Sequence, residues 1–102
     1  MGLWFNVQKR KGLMEKVTKL EDLPNIGSNL AALLTESGID SAEELMEAGA
    51  IGAFMRIRAV EGDACFSKLC ALEGAVEGIR WHHLSKDKKL ELRHFFEMIN
   101  KG

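Results

Sequence analysis

From about residue 27 onward, apolar side chains recur every three or four positions, which is the spacing of helices that each bury one face. No run alternates apolar and polar residues for long enough to indicate a β-sheet. The pattern therefore predicts an all-α fold, a single compact domain of about five helices. Residues 1–19 lack the pattern and are assigned to an N-terminal arm, which leaves residues 20–102 for the helical domain.

Capping residues predict where the first three helices begin and end. The first helix follows LPNIG and ends at Gly38, because glycine suits a left-handed cap. The second begins at Ser41, which has capping-box spacing with Glu44, and it ends at Gly49. A third covers about residues 51–60. The side chains expected in the core of these helices are Leu30, Leu33, Leu34, Ile39, Leu45, Met46 and Phe54.

The fourth predicted helix, about residues 64–79, has a large face and a small face. Gly74 and Gly78 lie on the small face, and glycine inside a helix costs about 1 kcal/mol relative to alanine. The pair therefore indicates that another helix backbone approaches this face and that the helix is central. Gly78→Leu is accordingly expected to unfold the domain by overpacking. The large face consists of Cys65, Leu69, Leu72, Val76 and Ile79.

A fifth helix is predicted from an N-cap at Ser85 to about Asn100. Between the last two helices, Trp81 is expected to fill the core, beside Arg80, with which it can form a cation–π contact. The inward side chains of the last helix are Leu92, Phe95, Phe96 and Ile99.

The formal net charge of -1 conceals three unlike segments. Residues 1–20 carry +4, residues 21–55 carry -7 with no lysine or arginine, and residues 56–102 carry +2. The acidic segment favours a protein-interaction module that meets a basic patch on another protein or on a second copy of the chain. Its candidate contact residues are Glu36, Asp40, Glu43, Glu44 and Glu47.

Residues 23–34, LPNIGSNLAALL, resemble a helix-hairpin-helix turn, whose free amides can bind a DNA phosphate. Asn25 stands where the first glycine is usual, and asparagine also tolerates the left-handed conformation. The surrounding acidic residues would repel phosphate, so a structural or protein-facing turn is favoured over DNA binding. The alternative is an accessory DNA-binding module that combines this turn with a basic face on the last helix, formed by Lys86, Lys88, Lys89 and Arg93.

Patterns of catalytic and metal-binding residues are weak in this sequence. His82 and His83 are adjacent and point in different directions, without the His-x3-His spacing of a zinc site. Cys65 and Cys70 lack CxxC spacing and are predicted to be buried apolar residues. We therefore expect no catalytic residues, cofactor or metal site. The lack of a long apolar run or a secretory signal predicts a cytoplasmic protein that does not enter a membrane.

Several segments together resemble the C-terminal domain of the TfoX (Sxy) competence-regulator family: LPNIG, SGIDSAEELMEAGAIGAF and CFSKLCALEGAVEGIRWHHLS. The similarity covers about Leu20 to Leu92, and ALEGAVEGIRWHHL is its most specific part. The resemblance implies an all-helical domain with a helix-hairpin-helix-like unit, in bacterial proteins associated with control of DNA-uptake genes, and no catalytic residues or cofactor. Its fold-defining positions here are Pro24, Asn25 in place of a glycine, Gly27, Gly38, Gly49, Gly74, Gly78, Arg80 and Trp81.

Overall fold

In the computed structural model, which describes residues 18–62 and 64–101, every regular element is helical. Four α-helices follow one another as α1 (Ser28–Glu36), α2 (Ala42–Glu61), α3 (Phe66–Glu77) and α4 (Lys86–Lys101). Single 3₁₀ turns precede α1 at Leu20–Asp22 and α4 at Trp81–His83. The predicted all-α class is thus confirmed. Most of the predicted N-terminal arm, residues 1–17, lies outside the described residues.

Helix α1 ends where the glycine pattern predicts. Gly38 has a φ of 91°, in the left-handed region. The amide of Ile39 donates to the carbonyl of Leu34 at 2.8 Å, and the amide of Gly38 donates to the carbonyl of Thr35 at 3.0 Å. These two bonds form a Schellman motif, which satisfies carbonyls that the end of the helix leaves free.

The predicted second and third helices form one element in the structure, so the described residues contain four α-helices rather than about five. Gly49 has φ 79° and ψ 165°, which is a kink inside α2 and not an end, because helix resumes directly after it. The predicted start is correct, since the Ser41 hydroxyl accepts a hydrogen bond from the Glu44 amide at 3.2 Å. The Glu44 carboxylate accepts a hydrogen bond from the amide of Asp40 at 2.6 Å. In a capping box this bond comes from the amide of the N-cap residue, here Ser41, so the observed bond lies one residue before the expected position.

Helix α3 ends before Gly78, so the placement of that glycine inside the helix is wrong. Gly78 is a left-handed cap with φ 79° and ψ 24°, and the amide of Ile79 donates to the carbonyl of Gly74 at 2.9 Å. A Cβ atom added at Gly78 would meet nothing within 4 Å. Overpacking by Gly78→Leu therefore has no basis, and what constrains this position is its positive φ.

The core lies where α3 packs against α2, and α3 also contacts α4 and the second 3₁₀ turn, which confirms its central position. Burying each large apolar side chain contributes about 1.5–3 kcal/mol. In α4 Leu92 is buried, while Phe95, Phe96 and Ile99 are half-buried against the core. The largest fully buried side chains are Phe54, Leu34, Ile39, Leu45, Ile57, Leu69 and Leu72.

Three side chains that were expected to be buried are exposed. Met46 is 44% exposed and Trp81 is 42% exposed, and Cys65 is exposed at the N-cap position of α3. Cys70 is buried as predicted, and burial raises the pKa of its thiol. Among the residues that the structure describes, no helix combines the length and apolar character required to cross a membrane.

Candidate functional site

The acidic residues singled out in the sequence occupy the end of α1, the loop that follows it and the first turns of α2. We call Glu36, Asp40, Glu43, Glu44 and Glu47 the acidic surface, and all five are exposed. Two of them lie in the first turn of α2, where carboxylates stabilise the positive end of a helix. Within residues 18–62 and 64–101, none of these carboxylates forms a salt bridge.

Part of the acidic surface holds the start of the described chain in place. The Glu43 carboxylate accepts hydrogen bonds from the amide of Thr18 at 3.2 and 3.3 Å. The amide of Ala42 in turn donates to the carbonyl of Thr18 at 3.0 Å. Glu43 and Glu44 therefore have structural roles, whereas the described contacts assign none to the side chains of Glu36 and Glu47.

Apolar side chains are exposed along the same helix. Met46 lies beside Glu47, Ile51 is 43% exposed after the kink, and Met55 is 38% exposed one turn further. A depression of about 400 Å³ lies between the first 3₁₀ turn and α1, and its lining includes Glu36 and Asp40 of the acidic surface. The acidic surface thus adjoins exposed apolar atoms and a concave region.

The basic face predicted on α4 is largely engaged within the domain. Lys88 Nζ lies 3.2 Å from the Glu91 carboxylate and 3.9 Å from that of Glu73. Lys89 Nζ donates to the carbonyl of His82 at 3.4 Å. The Arg93 guanidinium lies 4.1 Å from the centre of the Phe66 ring, a cation–π contact. Lys86 is exposed at the start of the helix.

Three of the positions singled out in the sequence, Asn25, Gly74 and Trp81, meet beside the turn of residues 23–27. Asn25 has a φ of 70°, so it adopts the left-handed conformation that its identity suggested. Its Nδ2 donates to the carbonyls of Ile79 at 2.9 Å and Ala71 at 3.4 Å, and its Oδ1 accepts from the amide of Trp81 at 3.1 Å. The side chain thereby ties the turn to the segment after α3.

Gly74 makes room for this connection. A Cβ atom there would overlap the Asn25 carboxamide, and it would lie 2.8 Å from the carbonyl oxygen of Ile79 and 3.2 Å from the Cα of Trp81. The close approach predicted at Gly74 is therefore real. Its partner is a side chain and a connecting segment, and not another helix backbone as expected.

A shallow cleft of about 420 Å³ lies beside the Asn25 connection. Trp81, expected in the core, faces this edge because its amide is fixed by Asn25 while its ring stacks on His82, with 4.4 Å between ring centroids and 24° between planes. Sequence reasoning missed the tethering role of Asn25, and the signal for it was asparagine at a left-handed position. The cleft is lined by Asn25, Leu30, Ser67, Lys68, Ala71, Arg80 and Trp81.

One carboxylate is placed unusually, at the contact between α3 and α4. The Glu73 side chain is only 14% exposed. Burial, followed by a hydrogen bond with Glu77, raises the pKa of Glu73 to about 7, and the charge of Lys88 opposes that shift. Among the described residues, no group of three or more histidine, cysteine, aspartate or glutamate side chains is placed to hold a metal ion.

Comparison with known proteins gives a consistent family match. The family model described as the TfoX C-terminal domain matches residues 16–96. A crystal structure of an uncharacterized protein from Listeria monocytogenes is 44% identical, with a TM-score of 0.80, over 81% of this chain and 94% of that chain. A second crystal structure, the tetragonal form of a protein of unknown function from Listeria monocytogenes, is 46% identical with a TM-score of 0.78, over 79% of this chain and 99% of that chain. No curated protein matches the chain.

Proposed function

Since the chain belongs to the TfoX C-terminal domain family, we propose that it is a non-enzymatic regulatory module that binds a basic segment of another protein through the acidic surface. The context that the family suggests for such binding is bacterial competence or transcription regulation.

The observation that carries the proposal is that the five carboxylates are exposed and have no basic partner in the described part of the chain. Complementary charge steers two proteins together and selects the partner, while apolar contacts at the centre of an interface supply much of the affinity. Met46 and Ile51 provide exposed apolar atoms on the same helix. A lysine- or arginine-rich segment with apolar side chains therefore matches this surface.

Self-association that pairs the acidic surface with the α4 face of a second copy is disfavoured. It would need the basic groups of that face to be free, and Lys88, Lys89 and Arg93 are engaged inside the domain. The same contacts weaken the alternative of duplex DNA binding by the turn of residues 23–27 and the α4 face. Glu21 and Asp22, exposed just before that turn, add repulsion toward phosphate.

Capture of partners from an extract of the native cells, with the chain immobilised, tests the proposal. The variant Glu36→Lys with Glu47→Lys reverses two exposed carboxylates that have no described structural bond. Asp87→Lys with Glu97→Lys makes the same change on α4, outside the acidic surface, and is the matched control. We expect proteins that bind the wild type and the control to be lost from the first variant and to elute as salt is raised. Retention of the same proteins by all three chains would overturn the proposal.

A further inference from the structure

The cleft beside Trp81 is separate from the acidic surface and has no role in the proposed function. Its lining includes Trp81, which is 42% exposed, and the basic residues Arg80 and Lys68. We propose that this cleft binds a nucleotide unit, with the base stacked on Trp81 and the phosphate held by Arg80.

Trp81 has the features of a stacking platform. Its side chain does not belong to the hydrophobic core, and the residue is 42% exposed. One face of the indole ring stacks on His82, and the proposal places the base on the opposite face. Nucleic-acid bases stack on such aromatic faces with little preference for sequence.

The segment that carries these groups is held in place before any ligand binds. The Asn25 side chain accepts a hydrogen bond from the amide of Trp81 and donates one to the carbonyl of Ile79. Arg80 therefore lies between two tethered residues. Gly74 lets this segment pack directly on α3. A ligand therefore meets an ordered backbone, which lowers the entropy lost on binding.

Charge in the cleft favours an anion. Arg80 is exposed and forms no salt bridge with any residue in the described ranges, and guanidinium groups bind phosphate oxygens in pairs. Lys68 Nζ donates to both carboxylate oxygens of Glu61, at 3.0 and 3.1 Å, so it is engaged within the domain and the phosphate contact rests on Arg80. Ser67 and Asn25 add polar groups to the lining.

The ligand must present an unstacked base, because bases inside a duplex already stack on their neighbours. A free nucleotide and a single strand of DNA or RNA share this chemistry. Titration of the chain with a short labelled oligothymidylate, with thymidine monophosphate as competitor and a duplex of equal length alongside, distinguishes these sources.

We expect the labelled oligothymidylate to bind with an affinity that falls as salt rises, and the duplex to bind more weakly. Trp81→Ala should weaken binding roughly tenfold, and Arg80→Ala should weaken it and reduce the salt dependence. Trp81→Phe, which keeps an aromatic face, should restore part of the affinity. Met98→Ala and Lys101→Ala, which remove an exposed apolar side chain and an exposed positive charge from the end of α4, are the controls and should bind as the wild type does.

Competition by thymidine monophosphate at concentrations near those of the oligonucleotide would identify a free nucleotide as the ligand, and competition only at far higher concentrations would identify a single strand. Both outcomes support the cleft. Unchanged oligonucleotide affinity in Arg80→Ala and Trp81→Ala, with both variants folded by circular dichroism, would overturn the proposal, as would the lack of binding at low salt.

Discussion

At the residue scale, Asn25 connects backbone groups that lie 46, 54 and 56 positions further along the chain. A glycine could adopt the same left-handed backbone, yet it would leave the carbonyl of Ile79 and the amide of Trp81 without this partner. Each hydrogen bond of this kind contributes about 0.5–1.5 kcal/mol net. Asn25 thus combines backbone tolerance with a tether that positions Arg80 and Trp81.

Substitutions of Asn25 separate those two contributions. Asn25→Gly keeps the backbone conformation and removes the tether, so we expect a loss of about 1–3 kcal/mol in the free energy of unfolding. Asn25→Ala also removes the tether, and alanine tolerates a positive φ less well than glycine or asparagine, so this variant should lose about 1 kcal/mol more. Urea denaturation measures both losses. Wild-type stability for Asn25→Gly would show that the tether contributes nothing to folding.

Gly74 and Gly78 are four residues apart and should respond differently to alanine. Gly74→Ala overlaps Asn25 and the backbone of residues 79–81, so we expect a loss of about 1–3 kcal/mol. Gly78→Ala has free space and incurs only the strain of its positive φ, about 1 kcal/mol.

The loss caused by Gly74→Ala should also depend on Asn25, because one of the overlapping atoms belongs to that side chain. A double-mutant cycle between Gly74→Ala and Asn25→Gly, measured by urea denaturation, should therefore show coupling. Strict additivity of the two losses would contradict the packing described for this turn.

At the scale of elements, the contact between α3 and α4 includes a carboxylate that is protonated more readily in the folded chain. Glu73 is shielded by α4, shares a hydrogen bond with Glu77, and faces Lys88 and Glu91. Its pKa is about 7 in the fold, against an ordinary value of 4.5. Because the folded state holds this proton more tightly, its contribution to stability is complete below the ordinary pKa and is lost as pH rises through about 7.

Glu73→Gln keeps the shape of the side chain and removes the titration. We expect the wild type to lose stability relative to this variant between about pH 5 and pH 8, by about 1 kcal/mol once solvent screening is allowed for. Thermal unfolding across that range measures the difference. Glu97→Gln on the exposed side of α4 is the control. Parallel pH profiles for the wild type and Glu73→Gln would contradict a raised pKa at this contact.

At the scale of the whole molecule, local signals predicted some of the ends of the elements. The caps at Gly38, Ser41 and Ser85 follow from contacts within a few residues, and the structure has all three. The kink at Gly49 shows the limit of such signals. A positive φ could be inferred there, but whether the helix resumes depends on the packing of residues on both sides.

The arrangement of the surface was only partly predictable for the same reason. The exposure of the five acidic residues could be predicted from the sequence, because charged side chains are rarely buried. The position of Trp81, the contact of Lys88 with Glu73 and that of Arg93 with Phe66 depend on groups in other parts of the chain. The cleft could not be predicted because Asn25 forms it with residues more than 40 positions away.

Hydrogen exchange of the chain, alone and bound to a captured partner, tests most directly whether the acidic surface is the interface. We predict that binding slows exchange of backbone amides in residues 36–47 and the following turn of α2, and leaves residues 86–101 unchanged. Slower exchange confined to residues 86–101, with residues 36–47 unaffected, would contradict the proposed function.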